Sequence, residues 1–215
     1  MSSIGETLVA ALAAIGGVFG IRAGTEEPQF TVVDRIGAVE IRHYGPRLAA
    51  ETTVSGDAEG ARNAGFRAVA GYIFGDNASK ASIAMTAPVA QTAGKAQTIA
   101  MTAPVAQTAS SAEAGQWRVQ FFMPAHYTRD TLPTPKDPNV RIVEVPPQDY
   151  AVLRFSGSRT GPVVTKRTAE LDAALAASPW RPSGPPTAWF YDPPWTPPFL
   201  RRNEVAAPVE PSRSK

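Results

Sequence analysis

The period of hydrophobic and polar positions changes several times along the chain, and these changes predict its elements. Three short runs rich in β-branched and aromatic residues come first, at residues 30–36, 38–43 and 48–54. Gly37 and the Gly45-Pro46 turn separate them, which is typical of consecutive strands. From residue 58 to 74 the apolar positions follow a helical period instead. The first part of the chain therefore predicts three strands followed by a helix.

The second part of the chain continues with strands and one more helix. Strand patterns occur at residues 117–123, 140–145, 150–155, 187–191 and 203–209. A second helical pattern opens at Pro162 and stops before Pro179. Because short turns join most strand pairs, we expect antiparallel pairing with helices on the outer face. The pattern predicts an α+β fold: a strongly bent antiparallel sheet with two main helices packed outside.

One segment is repeated without change. Residues 83–93 recur as residues 99–109, and each copy contains one proline and one methionine, Met85 or Met101. Thr, Val and Ile favour strands, whereas proline removes a backbone donor, so we expect bulged or edge strands of a hairpin. A duplication that only lengthens a loop is the alternative. The methionines could contact a flat ligand or fill gaps in the core.

The N-terminal residues differ from the rest. Residues 8–21 carry no charge and space their apolar side chains as a helix does. The run is shorter than the ~20 residues of a membrane span, and the acidic Glu6 before it is atypical of a secretory signal. We expect an apolar helix or leader at 1–25, a domain at 26–209 and a disordered tail at 210–215. Residues 4–21 could associate with a membrane, so cytoplasmic and exported locations both stay open.

Composition excludes several classes of protein. The 215 residues suffice for one domain, and 21 Lys+Arg against 19 Asp+Glu leave a net charge of +2 without a basic run. We therefore expect no nucleic-acid partner. The absence of cysteine excludes disulfides, thiolate nucleophiles, iron–sulfur clusters and thiolate-ligated heme. With two histidines, a site of several imidazoles cannot form.

His43 is the first candidate for ligand chemistry. It stands at the end of a predicted strand just before the Gly45-Pro46 turn, so its imidazole can project from the body of the domain. Neutral imidazole is a common iron ligand. A partly exposed histidine that hydrogen-bonds the turn is the alternative.

Basic and aromatic side chains supply further candidates. Arg62 and Arg67 lie near the polar flank of the first helix, where guanidinium groups could bind carboxylates bidentately or simply face solvent. Trp195 and Phe199 stand in a proline-rich loop. Rigidly held aromatics form a preformed wall for a flat ligand, or they cap the core.

No catalytic set is recognisable. The sequence has no nucleophile elbow, zinc-protease motif or phosphate-binding glycine loop. We therefore predict a binding protein rather than an enzyme. His126 and Asp192 are the candidates for acid–base chemistry if a ligand is modified.

Five stretches, taken together, resemble the SOUL/heme-binding protein family. They are Ile-Arg-His-Tyr-Gly-Pro at 41–46, Gly-Phe-Arg through Tyr-Ile at 65–73, both Met-Thr-Ala-Pro-Val copies, Phe-Met-Pro at 122–124, and Tyr-Asp-Pro-Pro through Arg-Arg-Asn-Glu-Val at 191–205. They follow the family order over about residues 27–208. Each is a modest signal, but five in order are specific.

The resemblance implies a distorted antiparallel barrel of two pseudo-symmetric halves, each with a helix. It implies non-covalent binding of heme, or of free-base porphyrin, in a shallow hydrophobic cleft beside the first helix. His43 matches a position proposed for the axial iron ligand. Arg62 and Arg67 match the basic character of the helix beside the cleft, and Phe66 belongs to its matching apolar stretch.

The chain departs from the family at one site position. Where another branch has a lysine proposed to face the heme, this sequence has Thr196, so Arg201 could supply that charge. Two alternatives to a cognate tetrapyrrole carrier, buffer or sensor stay open. These are a general module for hydrophobic or aromatic small molecules and a tetrapyrrole-modifying enzyme.

Overall fold

The computed structural model describes residues 26–79, 83, 89–93, 116–192 and 195–212. The helices within them are α1 (Ala58–Ile73) and α2 (Gly161–Ala176), and a 3₁₀ turn covers Pro198–Leu200. The strands are β1 (Phe30–Ile36), β2 (Val39–Tyr44), β3 (Arg47–Ser55), β4 (Val89–Ala93), β5 (Gln116–Phe122), β6 (Arg141–Val145), β7 (Gln148–Phe155), β8 (Trp180–Pro182), β9 (Thr187–Phe190) and β10 (Asn203–Pro211).

The strands form one antiparallel sheet. Its order is β1-β2-β7-β10-β9-β4-β5-β3-β6, and β8 pairs with β10 beside this path. The sheet is strongly curled, close to a half-barrel, and both helices pack on it. The predicted α+β fold with a strongly bent sheet is confirmed.

Helix α1 covers strands β3 and β5. It begins at the N-cap Asp57, whose carboxylate accepts hydrogen bonds from the backbone N–H groups of Glu59 and Gly60. A Cβ at Gly65 would lie 2.5 Å from Cγ2 of Val119 on the sheet. Glycine at this position therefore lets the helix backbone approach β5 closely.

Helix α2 covers β7 and β10 at the other part of the sheet. Proline in its first turn suits the fixed backbone angle there. Leu171 and Leu175 are buried against a cluster that includes Leu153 and Val205. The apolar stripe predicted for this helix thus faces the core.

The inner side of the curled sheet holds a separate aromatic cluster. Its buried members are Tyr44, Ala49, Phe122, Val152, Trp189, Tyr191 and Ala206. The rings of Tyr44 and Trp189 meet edge to face, with centroids 5.5 Å apart. The curved sheet therefore encloses this aromatic cluster as a third buried core, between the region covered by α1 and the region covered by α2.

The repeated segment differs from its prediction. Strand β4 contains the end of the first copy and pairs with both β5 and β9, so it lies inside the sheet rather than at an edge. The prediction of an edge strand was wrong because the proline of this copy, Pro88, precedes the five paired residues. None of these five residues lacks a backbone N–H. The second copy lies outside the described residues.

The C-terminal strand is longer than predicted. The sequence placed its end at residue 209, but β10 continues to Pro211 and pairs there with β8, a short strand that the sequence pattern missed. Ser212 also donates its N–H to the carbonyl of Pro179 at 2.7 Å. Residues 210–212 are therefore held against the sheet rather than forming a disordered tail. The segment 1–25 and the last residues, 213–215, lie outside the described residues.

Among the described residues, no helix combines the length and the apolar character needed to cross a bilayer.

Candidate functional site

The N-terminal part of α1 lies close to the start of α2, because Nη1 of Arg62 donates to the carbonyl of Arg159 at 3.4 Å. We call this region of the sheet the helix end. The turns at 45–46 and 146–147 lie together around a cavity in another region, which we call the turn end.

Arg62 lies at the helix end, on the outer face of the sheet. Its guanidinium carbon is 5.2 Å from the centre of the buried Phe190 ring, and Nη1 donates to the backbone carbonyl of Arg159 at 3.4 Å. A small cavity of about 130 Å³ opens there between α1 and α2. The helix groove is this cavity and its walls: Arg62, Trp117, Arg159, Gly161, Val164, Thr165, Thr168, Pro186, Thr187, Ala188 and Phe190.

Positive charge is concentrated in the helix groove. Arg159 also faces Phe190, at 5.8 Å, and donates to the carbonyl of Asp192 at 3.1 Å. Burial, together with the charges of Arg62 and Arg201, lowers the pKa of Arg159 to about 10. Burial is also the main cause of the lowered pKa of Arg62. An anion placed here would be stabilised by these partly desolvated guanidinium groups.

Two exposed aromatic residues belong to the same end of the sheet. Trp195 and Phe199 are 59% and 76% exposed, large fractions for such side chains. The segment that carries them is tied to the loop before α2, because the Gly157 N–H donates to the Pro198 carbonyl at 2.9 Å. A hydrogen bond within the segment also stabilises it, because Nε of Arg201 donates to the carbonyl of Thr196 at 2.7 Å. These rings therefore do not cap the core.

Phe66 and Arg67 point in different directions. The Phe66 ring is partly buried and lies 5.4 Å from that of Phe121, so it belongs mainly to the contact between α1 and the sheet. Arg67 is exposed to solvent. Of the three predicted residues on this helix, Arg62 is the one that reaches the helix groove.

His43 lies on β2, near the turn end. Its Nδ1 is 2.7 Å from Oδ1 of Asp149, its partner in the β2–β7 ladder, and half of the side chain is exposed. A carboxylate at Nδ1 favours the tautomer with the proton there, which leaves the lone pair of Nε2 available for a metal ion. The described residues include no group of three or more potential metal ligands.

The predicted site residues fall into two places. In the strand pairing, Phe190 of the helix groove lies opposite Asn203, which lies opposite Phe155 at the end of β7. His43 lies opposite Asp149, near the start of the same strand. The six residue steps from 149 to 155 along β7 correspond to about 20 Å. His43 and Arg62 therefore lie in two separate places on the sheet, and their roles as iron ligand and propionate partner stay predictions.

Other candidates are separated in the same way. His126 is exposed, its ring centre lies 4.2 Å from that of Tyr127, and it follows the end of β5 at the turn end. Asp192 is buried at the helix end, where it accepts from the N–H of Arg202 at 2.6 Å. The two groups therefore do not form one acid–base pair. Met85, Met101 and residues 4–21 lie outside the described residues.

The larger cavity was not foreseen from the sequence. It has a volume of about 740 Å³ and lies at the turn end, around Pro46, Met123 and Pro147. The pairs Gly45-Pro46 and Pro146-Pro147 are signals of turns, but no pattern reveals that the two turns meet around a space. We call this space the end cavity.

A comparison with protein families identifies the chain's relatives. Residues 25–208 match the model of the SOUL heme-binding protein. The chain belongs to the SOUL family. This membership supports binding of heme or a related tetrapyrrole as the general property of such domains. No curated protein sequence matches this SOUL chain significantly.

Solved structures with the same fold are distant in sequence. The C-terminal domain of EcmrR has a TM-score of 0.59 at 8% identity, over 80% of this chain and 97% of that domain. An uncharacterised conserved protein from Listeria innocua has a TM-score of 0.53 at 12% identity, over 88% of this chain and 95% of its own. A hydrolase from Listeria innocua also scores 0.53 at 12% identity, over 83% and 94%. At these identities, the likeness of the SOUL chain to them concerns the fold alone.

Proposed function

We propose that this protein binds heme or a related tetrapyrrole non-covalently in the helix groove, as a carrier, buffer or sensor. The observation that carries the proposal is the position of the Arg62 guanidinium over Phe190, beside Arg159. Arg159 in turn donates to the carbonyl of Asp192, which leads into the segment that carries the exposed Trp195 and Phe199. A tetrapyrrole with propionates combines a flat apolar body with carboxylates, and this surface offers the complement of both.

The geometry defines how such a ligand would rest. The cavity of about 130 Å³ is smaller than the 300–1,000 Å³ of enclosed ligand pockets, so it would admit only one edge of the ring. Its carboxylates would meet Arg62 and Arg159, which both line the helix groove. The flat face would lie against Trp195 and Phe199. A ligand held in this way needs no metal ligand from the protein.

His43 supports a second mode of binding at the turn end. The hydrogen bond to Asp149 orients its ring and leaves Nε2 free to ligate iron. In that mode the tetrapyrrole would lie on the outer face of β2, about 20 Å from the helix groove along the strands. It would depend on iron, whereas binding in the helix groove would not.

A titration of the purified full chain separates the two modes. Hemin should shift its Soret band on binding, and metal-free protoporphyrin IX should bind within a few-fold of hemin. We expect Arg62→Gln to weaken both ligands about ten- to a hundredfold, because a charge-assisted hydrogen bond is lost. The control Arg181→Gln, on an exposed ion pair of β8, should leave both affinities unchanged.

The opposite results decide against the proposal. Failure of both ligands to bind the wild-type chain would exclude tetrapyrrole binding. If His43→Ala abolishes hemin binding while Arg62→Gln has no effect, the ligand lies at β2 instead. Competition by unrelated aromatic molecules with affinities equal to that of hemin would favour a general binding module.

A further inference from the structure

The end cavity is lined by Arg47, a buried cation that has no anionic partner among the described residues. All three guanidinium nitrogens of Arg47 are buried, and none has a hydrogen-bond partner of ordinary length and angle among the described residues. The Tyr150 hydroxyl is the polar group close enough to interact with this guanidinium at a looser geometry. The guanidinium lies between aromatic rings instead, 4.5 Å from the centre of Tyr44 and 4.6 Å from that of Phe122. Stacking of this kind stabilises an arginine but does not satisfy its five N–H donors.

Within the part of the chain that the structure describes, no carboxylate forms an ion pair with Arg47. Burial lowers the pKa of Arg47, and the groups that oppose this effect most are the hydroxyls of Tyr150, Tyr44 and Tyr191. The nearby buried acid Glu204 is already paired with Arg42 at 3.0 Å and Arg202 at 2.9 Å. An uncompensated buried cation destabilises the fold unless a ligand supplies the missing charge.

The space beside Arg47 has the size and polarity of a ligand site. Its volume of about 740 Å³ falls within the range of small-molecule pockets. Apart from Arg47, the charged side chains that line it are Glu26 and Glu144, which are exposed at its border. Glu26 accepts the N–H of Ala125 at 2.8 Å, and Glu144 lies 3.7 Å from Arg129. Most of the remaining wall consists of proline, aliphatic and aromatic side chains.

We propose that the end cavity binds an apolar monocarboxylate, such as a fatty acid, with its carboxylate paired to Arg47. Guanidinium and carboxylate fit each other bidentately, and the apolar chain would fill the space lined by Leu48, Met123 and Tyr127. This site is distinct from the helix groove. Arg47 and Ser55 stand at opposite ends of β3, which corresponds to about 26 Å.

The wild-type chain provides the first test. Binding of cis-parinaric acid, a fluorescent polyene fatty acid, is compared with binding of its methyl ester, which has the same chain without the charge. We expect the acid to bind about ten- to a hundredfold more tightly than the ester. Equal affinities, or no binding of the acid, would overturn the proposal without any mutation.

Variants then assign the preference to Arg47. The variant Arg47→Met should bind the acid no more tightly than the ester. Its affinity for the ester should equal that of the wild type. Gly45→Phe should weaken both probes, because nothing lies within 4 Å of a Cβ at Gly45, which lines the cavity. The control Arg181→Gln should bind like the wild type. If Arg47→Met keeps the preference for the acid, Arg47 is not the partner.

The two proposals fail independently. The fatty-acid site predicts that saturating hemin leaves the binding of cis-parinaric acid unchanged, and that Arg62→Gln does not alter it. Displacement of the fatty acid by hemin in a competitive manner would show that the end cavity is itself the tetrapyrrole site, which would overturn the proposal of a separate ligand.

Discussion

Glu204 and Arg42 form an ion pair of 3.0 Å inside the curled sheet, at a position where the side chain of Glu204 has no exposure to solvent. The same carboxylate accepts a hydrogen bond from the Tyr191 hydroxyl at 2.6 Å and pairs with Arg202 at 2.9 Å. Arg202 continues to Glu27, which ties the segment before β1 to β10. One buried carboxylate thus connects three segments that are distant in sequence.

Removal of this carboxylate should destabilise the fold strongly. Glu204→Gln keeps the shape of the side chain but leaves Arg42 and Arg202 without their common anion, and breaking a buried pair costs about 3–5 kcal/mol. Urea denaturation measures the change in the free energy of unfolding. The exposed pair of Arg181 and Glu210 provides the control, for which Arg181→Ala should cost less than about 1 kcal/mol. Equally small losses of unfolding free energy in Glu204→Gln and Arg181→Ala would mean that the buried ion-pair network contributes little to stability.

Glycine at position 65 should be required for helix packing. Gly65→Ala brings a methyl group within 2.5 Å of Val119 Cγ2, and overpacking of this kind costs about 1–3 kcal/mol. Gly71→Ala on the same helix meets its nearest atom at 3.9 Å, so it should stabilise the protein by up to about 1 kcal/mol. Thermal unfolding of the two variants gives the comparison. Opposite signs are expected, and stabilisation by both would contradict the close approach of α1 to β5.

The N-cap of α1 should make stability depend on pH in the acidic range. Backbone N–H groups of Gly60 and Glu59 lower the pKa of Asp57 below its ordinary value of 3.8. A carboxyl group with a depressed folded-state pKa stabilises the fold fully above its unfolded pKa. This contribution disappears as the pH falls through the lower folded value.

The variant Asp57→Asn isolates this effect, because asparagine can cap the helix without titrating. The stability difference between wild type and variant should be constant above about pH 5 and should shift in favour of the variant below pH 3.8. Chemical denaturation at a series of pH values measures it. A difference that does not change with pH would exclude a titrating cap.

The exposed aromatic residues should matter for binding rather than for folding. Trp195→Ser and Phe199→Ser should change the free energy of unfolding by less than about 0.5 kcal/mol, as is usual for exposed positions. Each should weaken hemin and protoporphyrin IX several-fold, because the flat contact surface is reduced. Phe74, 63% exposed just after the C-terminal end of α1, provides a matched control. Equal loss of binding in Phe74→Ser would indicate non-specific adsorption of the ligands.

The strand and helix patterns predicted local structure well where one face of an element is buried. Helix α1 was expected at 58–74 and runs from Ala58 to Ile73, and β1 has the predicted bounds of 30–36. Strand β8 was missed because its three residues are too few for a period to be read. The position of β4 inside the sheet depends on its pairing with β5 and β9, which no local pattern contains.

The candidate site shows the same division. The residue type of Arg62 and its place on the helix predict a binding role, and the fold brings it to a groove together with Arg159, for which the sequence carries no signal. The sequence carries none for Arg47 either, because nothing in the pattern shows that an arginine at the start of a strand is buried. The aromatic rings around its guanidinium belong to Tyr44 of β2, Phe122 of β5 and Tyr150 of β7, and these strands meet only in the folded sheet.

The sequence by itself determined which segments form strands and helices and which residue types are available. It also determined which chemistry is excluded by the absence of cysteine. These properties depend on residues that are neighbours along the chain, so the periods and motifs of the sequence are enough to predict them. The tertiary structure alone decided that His43 and Arg62 lie in separate places on the sheet and that the cation of Arg47 is enclosed by aromatic rings. Curvature and strand order create these distances, and both arise from contacts between residues far apart in the chain.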